Sequence, residues 1–132
     1  MRIQNTLLAA ALLSVAAGRL AAQQAQVTQE MTKELADLPG KEALMLTVVY
    51  PPGGADPVHR HNAHAFIYVL EGSAVMQLKG GQEVTLTPGQ TFYEGPDDVH
   101  LVGRSASTTR PAKLLVLLVK NTGAPVVVQV SP

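Results

Sequence analysis

Residues 53–72 read GGADPVHRHNAHAFIYVLEG and place three histidines, His59, His61 and His64, just after a turn rich in glycine and proline. Side chains alternate between the two faces of a strand, so His59 and His61 would point to the same side of an extended segment. Imidazoles at that spacing can share one divalent ion. The fourth histidine, His100, follows a second proline-containing turn, and a closed sheet could bring it opposite the pair. The pattern predicts a metal site on a β framework.

Short apolar runs broken by glycine and proline fill the chain from about Thr28 onward, which indicates an all-β fold. The predicted strands are residues 43–50, 66–70, 74–78, 83–87, 91–94, 99–102, 113–120 and 126–130. The turn at Gly80-Gly81 predicts a β-hairpin. Turns every eight to twelve residues favour a sandwich or a small antiparallel β-barrel. Residues 28–38 stay open between strand and helix, because Met31, Leu35 and Leu38 keep a helical spacing.

Composition limits the class of protein. The 132 residues contain no cysteine, which excludes disulfides and thiolate metal sites. Ten basic and ten acidic residues cancel without forming a basic block, so a nucleic-acid partner is not expected. Hydrophobic residues make up 46% and charged residues 15%, and these values favour a compact, well-buried domain.

The first 22 residues resemble a secretory signal peptide. Arg2 precedes an apolar run at residues 6–17, and cleavage after Ala22 would leave a single domain at residues 23–132. The alternative is a buried or amphipathic N-terminal helix. A signal peptide would place the mature protein in the periplasm or outside the cell, with no membrane segment of its own.

Two motifs in this chain resemble those of the cupin superfamily. The first consists of a Gly, five residues, His-x-His, a Glu after three or four residues and a Gly six residues later. The second consists of a Gly, a short strand, a Pro-containing turn, a His and then an Asn. The matching residues are Gly53, His59, His61 and Gly72 for the first motif, and Gly89, Pro96 and His100 for the second. The resemblance covers about residues 43–120.

The resemblance implies a jelly roll, or double-stranded β-helix, with His59, His61 and His100 as ligands of one divalent transition metal. Iron, zinc, manganese, nickel and copper remain open. It also implies a homodimer, which could exchange or pair strands through residues 27–38. The ligand or substrate would be a small organic molecule held in an apolar pocket. Candidate pocket residues are Phe66, Tyr68, Met76 and Phe92, for which core packing is the alternative role.

The chain departs from the first motif at its carboxylate. The motif has its glutamate seven positions before the final glycine, and in this chain that position is occupied by Ala65. His64 is the candidate fourth ligand, although a one-residue shift on a strand reverses its face unless the chain bends before it. Glu94 is the other nearby carboxylate and is expected at the rim of the cavity. No catalytic residue is assigned, and His64 and Glu94 are weak candidates.

The second motif also departs from the family pattern. Arg104 and Ser105 occupy the neighbourhood where it has an asparagine. The functions that remain are a metal-dependent enzyme of the dioxygenase, isomerase or decarboxylase type and a non-catalytic periplasmic ligand- or metal-binding barrel. A barrel with a vestigial site is a third alternative. An oxidoreductase resembling the dioxygenases is the expected activity if the chain is catalytic.

Overall fold

The computed structural model describes residues 23–131, and the leader expected at residues 1–22 lies outside them. Among the described residues there are ten strands and no helix, which confirms the all-β prediction. The strands are β1 (Gln26–Glu34), β2 (Lys41–Tyr50), β3 (His59–Arg60), β4 (His64–Glu71), β5 (Ala74–Leu78), β6 (Val84–Leu86), β7 (Thr91–Glu94), β8 (His100–Ser105), β9 (Ala112–Asn121) and β10 (Val128–Gln129). No helix long and apolar enough to cross a membrane occurs in this part of the chain.

The strands form two antiparallel five-stranded sheets. The first sheet has the order β1-β2-β9-β4-β7, and the second has the order β10-β3-β8-β5-β6. Apart from the consecutive pairs β1–β2 and β5–β6, the neighbours in each sheet come from distant parts of the sequence, as in the jelly roll that the motifs implied. The hairpin predicted at Gly80-Gly81 is present as the β5–β6 pair.

Residues 28–38, for which the sequence left strand and helix as alternatives, belong to strand β1 as far as Glu34. It pairs with β2 from Gln26 opposite Val49 to Glu34 opposite Glu42, with an irregularity between Gln29 and Met31. Every residue of β1 is exposed. The helical spacing in this segment is overridden because the edge of β2 offers it a full row of hydrogen bonds, whereas a short helix without a packing surface is only marginally stable.

The core lies between the sheets and follows from period-two alternation in β2 and β9. Both strands alternate buried and half-buried residues along their length. The inward side chains of these two strands are Leu44, Leu46, Val48 and Tyr50 from β2, and Ala112, Leu114, Val116 and Leu118 from β9. Met76 contributes from the second sheet and is 1% exposed. A truncation such as Leu114→Ala would cost about 2–5 kcal/mol of stability.

Gly72, which closes the first motif, is required by both conformation and space. Its φ is 68°, in the left-handed region that favours glycine. A Cβ at this position would overlap the carbonyl oxygen of Pro111. The glycine lets the turn between β4 and β5 lie against the start of β9.

Candidate metal centre

The second sheet brings the first and last of the predicted ligands together. His59 in β3 lies directly opposite His100 in β8, and both are buried. Their ring centroids are 5.0 Å apart. His61 follows β3, and its ring centroid lies 4.8 Å from that of His59. The three histidines named from the sequence therefore lie in one cluster, in which His59 and His100 are buried and His61 is partly buried.

Backbone carbonyls fix the orientation of two of these rings. The Nδ1 atom of His59 lies 2.8 Å from the carbonyl oxygen of Pro57, and that of His61 lies 2.7 Å from the carbonyl oxygen of Val126. A carbonyl only accepts, so each Nδ1 donates and each neutral ring keeps its lone pair on Nε2. The two Nε2 atoms are 3.3 Å apart. Two lone pairs facing each other repel unless a cation lies between them, and this arrangement is typical of metal-binding histidines.

Glu94 does not lie at the rim, so that expectation was wrong. Its side chain is buried, with 2% of the residue exposed. Oε2 is 3.5 Å from Nε2 of His61, and Oε1 is 3.3 Å from Nδ1 of His100. The cause is the register of β7, in which Glu94 lies opposite the buried Ala65 while Tyr93 lies opposite the exposed Phe66.

Burial dominates the electrostatics of this cluster. Burial, together with the charges of Asp56 and Asp98, raises the pKa of Glu94 to about 7. Burial lowers the pKa of His100 to about 4 and also lowers the pKa of His61. Removal from water disfavours the charged form of each group, and a cation among them would offset that cost for the carboxylate.

Unpaired atoms in the cluster fit a cation. Oε2 of Glu94 and both ring nitrogens of His100 are buried with no hydrogen-bond partner among the described residues. Leaving such groups unpaired costs about 1–3 kcal/mol each. Ligand atoms of His59, His61 and Glu94 all lie within 4.8 Å of one another. Imidazole and carboxylate donors suit a divalent transition metal, so the donor set fits the predicted cofactor.

A second polar group adjoins the histidines. Asp56, His59 and His100 also offer three ligand atoms within 4.8 Å of one another. The buried hydroxyl of Tyr50 donates to Oδ2 of Asp56 at 2.6 Å. Burial raises the pKa of Asp56 and raises that of Tyr50 well above its ordinary value. Sequence reasoning did not single out these two residues, and the place of Asp56 just before the histidines was the one available signal.

His64 does not reach the cluster. The chain does bend before it, since Asn62 has a φ of 49°, but the side chain of His64 is exposed. Its Nδ1 lies 2.7 Å from the hydroxyl of Tyr93 on the outer side of the first sheet. Alternation along β4 buries Ala65 and turns His64 away, so His64 is excluded as a fourth ligand in this structure.

The four predicted pocket residues divide between two faces. Phe66 and Tyr68 are about half exposed on the outer side of β4, so their assignment to the inner pocket was wrong. Met76 lines the inner cavity. Phe92 packs against the core, with its ring centroid 6.5 Å from that of His100. Alternation separates these faces, but only the pairing of β4 with β9 and β7 decides which face is inside.

The cavity beside the histidines has a volume of about 140 Å³. Its polar end is formed by the three histidines and Glu94 together with Tyr50 and Asp56, and its walls are apolar. The wall residues from the strands are Leu46, Val48, Ile67, Met76, Leu114 and Val116. Val27 from β1 and Val126 and Val127 from the C-terminal segment also line it. The exposure of Val27 and Val127 shows where the cavity meets solvent.

Fold and site together define a member of the cupin family. The family model for the cupin domain matches residues 46–118, more than half of the chain. The chain therefore belongs to this family. No curated protein matches it with significant similarity.

Solved structures support the same assignment. The DMSP lyase DddQ from Ruegeria pomeroyi is 26% identical over 68% of this chain and 44% of its own, with a TM-score of 0.59. The chain thus spans less than half the length of that enzyme. A protein from Thermus thermophilus is 30% identical over 63% of this chain and 76% of its own, with a TM-score of 0.54. A cupin-like protein from Thermotoga maritima is 18% identical over 81% and 76% of the two chains, with a TM-score of 0.65, and this likeness shows the fold alone.

Proposed function

We propose that this cupin binds one divalent transition metal through His59, His61 and His100 and uses it to bind and transform a small organic molecule. The observation that carries the proposal is the pair of Nε2 atoms 3.3 Å apart, each on a ring whose Nδ1 is held by a backbone carbonyl. Imidazole ligands suit iron, zinc, nickel and copper, whereas manganese favours oxygen ligands such as a carboxylate. When bound, such an ion supplies a Lewis-acidic centre for a polar group of the substrate.

The size and lining of the cavity support a small substrate. Its volume of about 140 Å³ is close to that of an apolar cavity that holds one benzene molecule, roughly 150 Å³. The apolar walls suit the body of such a molecule, and the histidine end suits one polar group. Tyr50 and Asp56 lie at that same end, where they could bind or orient the polar group.

The class of reaction is open among those expected for a cupin of this size, namely dioxygenation, isomerisation and decarboxylation. The name of the similar Ruegeria protein adds a lyase reaction to those that merit a test. A non-catalytic periplasmic ligand- or metal-binding protein is the alternative, and it would use the same centre.

We also propose that the chain is exported and works as a homodimer. The apolar run at residues 6–17 supports export. For the dimer, the supporting feature is an apolar surface on the outer side of the first sheet, which we call the outer face. Its exposed or half-buried side chains carry no charge and are Met45, Phe66, Tyr68, Thr91, Tyr93, Leu115 and Leu117. Such a surface suits a second copy of itself, because a twofold interface joins like surfaces.

The metal content of the mature protein, purified without a histidine tag, tests the first proposal. We expect about one equivalent of metal in the wild type, and its loss in His59→Ala and His100→Ala. His64→Ala is the matched control, since it removes an imidazole from the outer side of β4, and it should keep the metal. An absence of metal from every preparation, including protein reloaded with each of the five ions, would contradict the proposal.

Turnover separates the enzyme from the binding protein. Oxygen uptake with catechol-like substrates and product formation from DMSP are the first assays for metal-loaded protein. Activity that disappears in His59→Ala and survives in His64→Ala would support the enzyme. Saturable binding of a small aromatic probe without turnover over the whole panel would favour the non-catalytic alternative.

A further inference from the structure

We infer that Glu94 is the carboxylate ligand of the metal centre and that it replaces, from the neighbouring strand, the glutamate that the cupin motif places at position 65. This inference rests on the proposed metal-binding function and adds a fourth ligand to it. It also alters the character of the centre, because three histidines alone would leave the ion's charge of about +2 uncompensated.

The pairing of β4 with β7 places positions 65 and 94 side by side, so that a side chain at either one can reach the same space. Ala65 lies directly opposite Glu94, and both are buried on the inner side of the first sheet. Side chains that are directly opposite in an antiparallel pair have Cβ atoms about 4.5–5.5 Å apart. A carboxylate that starts from either position can therefore enter the same space, and the small Ala65 leaves that space to Glu94.

The neighbouring pair in the ladder supports the same register. Phe66 lies opposite Tyr93, and both are exposed on the outer face, with ring centroids 5.4 Å apart. A slip of one residue would bury Tyr93 and expose the carboxylate of Glu94. The aromatic pair outside and the Ala–Glu pair inside therefore favour the same alignment.

The distances within the cluster match those between ligands of one ion. Ligand atoms held at about 2.0–2.2 Å around a tetrahedral ion lie about 3.3–3.6 Å from one another. The Nε2 atoms of His59 and His61 are 3.3 Å apart, and Nε2 of His61 is 3.5 Å from Oε2 of Glu94. With both Nδ1 atoms donating, the two Nε2 atoms present lone pairs to each other, and a cation between them and Oε2 would remove that repulsion.

The remaining contacts of Glu94 leave this oxygen free for a ligand role. Oε2 has no hydrogen-bond partner among the described residues although it is buried. Oε1 lies 3.3 Å from Nδ1 of His100, but the two atoms are not aligned for a hydrogen bond. A residue that served only to pack the core would not need a carboxylate here, and an apolar side chain would avoid the cost of burying one.

A swap of the carboxylate between the two strands tests this inference. The proteins to compare are the wild type, Glu94→Gln, Glu94→Ala and the double variant Ala65→Glu with Glu94→Ala. Glu71→Gln removes an exposed carboxylate from β4 and is the matched control. The readouts are zinc stoichiometry, zinc affinity by competition with a chromophoric chelator, and the visible spectrum of the cobalt-loaded proteins. Circular dichroism and thermal unfolding of the metal-free proteins report folding independently.

We expect Glu94→Gln and Glu94→Ala to lose at least tenfold in zinc affinity and to change the cobalt spectrum, while Glu71→Gln matches the wild type. The size of this loss follows from the 10–100-fold cost of losing even an outer partner of a metal ligand. The swap should recover affinity to within about tenfold of the wild type, because it returns a carboxylate to the same space. Glu94→Gln keeps the volume of the side chain and covers the case in which Glu94→Ala fails to fold.

Each other outcome overturns a defined claim. Wild-type affinity in Glu94→Gln would overturn the ligand role of Glu94 and leave the three-histidine centre intact. A folded swap variant that binds no better than Glu94→Ala would overturn the equivalence of the two positions. Failure of the wild type itself to bind any metal would overturn the proposed function together with this inference.

Discussion

Gly103 in β8 shows how closely the residues around the site approach one another. A Cβ built there would lie 2.7 Å from Cε1 of His100 and 2.7 Å from the hydroxyl oxygen of Tyr50. The glycine is therefore needed for space and not for an unusual backbone angle. It lets the imidazole of a proposed ligand and the phenol of a cavity residue meet over one strand.

We predict that Gly103→Ala displaces His100 and Tyr50, because the new Cβ would lie only 2.7 Å from the tip of each side chain. Overpacking of this kind costs about 1–3 kcal/mol of stability. Urea unfolding should show this loss, and zinc titration should show weaker binding. Gly81→Ala is the control, because the nearest atom to its Cβ would be the Leu78 carbonyl oxygen at 3.4 Å. Equal stability and equal zinc affinity in the two variants would contradict the prediction.

At the scale of elements, the long β2–β9 pair contains an ion pair near the start of β2 and the end of β9. Beyond this end of β9 the chain runs towards the metal site. Glu42 lies opposite Lys120, and their side chains form a buried contact. Lys120 also donates to the carbonyl oxygen of Ala124 at 2.7 Å. The next residues lead to Val126, whose carbonyl oxygen holds His61. The ion pair thus anchors the segment that orients a proposed ligand.

The hydrogen bond from Lys120 lowers the pKa of Glu42, and this gives the ion pair a pH dependence of known sign. A lowered folded-state pKa stabilises the protein above the ordinary glutamate pKa, and that contribution is lost as the pH falls through the lowered value. We predict that Glu42→Gln is less stable than the wild type at pH 7 and that the difference shrinks towards pH 3. Urea unfolding of both proteins across this range measures it, with Glu71→Gln as the control. A difference that stays constant with pH would contradict the assignment.

The whole molecule presents two unlike surfaces of the first sheet. The inner side closes over the cavity, while the outer face carries exposed aromatic side chains such as Phe66 and Tyr68. A contiguous apolar surface of this kind is uncommon on a monomer and typically marks an interface.

We predict that the wild type is a dimer in light scattering coupled to size-exclusion chromatography and that Tyr68→Glu is a monomer. A buried, unpaired charge on each subunit would oppose the twofold contact. Thr85→Glu places the same charge on an exposed position of the second sheet and should remain dimeric. A monomeric wild type would contradict the dimer, and a dimeric Tyr68→Glu would place the interface elsewhere.

Local pattern predicted much of the architecture. Alternation and turn residues predicted the strands of the core, and the spacing of His59 and His61 predicted a shared face. These features depend on near neighbours in the chain, which is why they can be read without a structure. His100 was assigned to the same site through the resemblance to the cupin motifs. The strand β1 could not be read in this way, because its helical spacing is overridden by pairing with β2.

The amino-acid sequence by itself determined the all-β fold through short-range periodicity, and its resemblance to the cupin motifs indicated the family and the three histidines. Only the tertiary structure decided that Glu94 joins the cluster, that His64 leaves it and that Phe66 and Tyr68 face outward. All three depend on which strands pair and in what register, and β4 pairs with strands that are distant in the sequence. Alternation defines two faces of a strand, but only long-range pairing decides which face is buried.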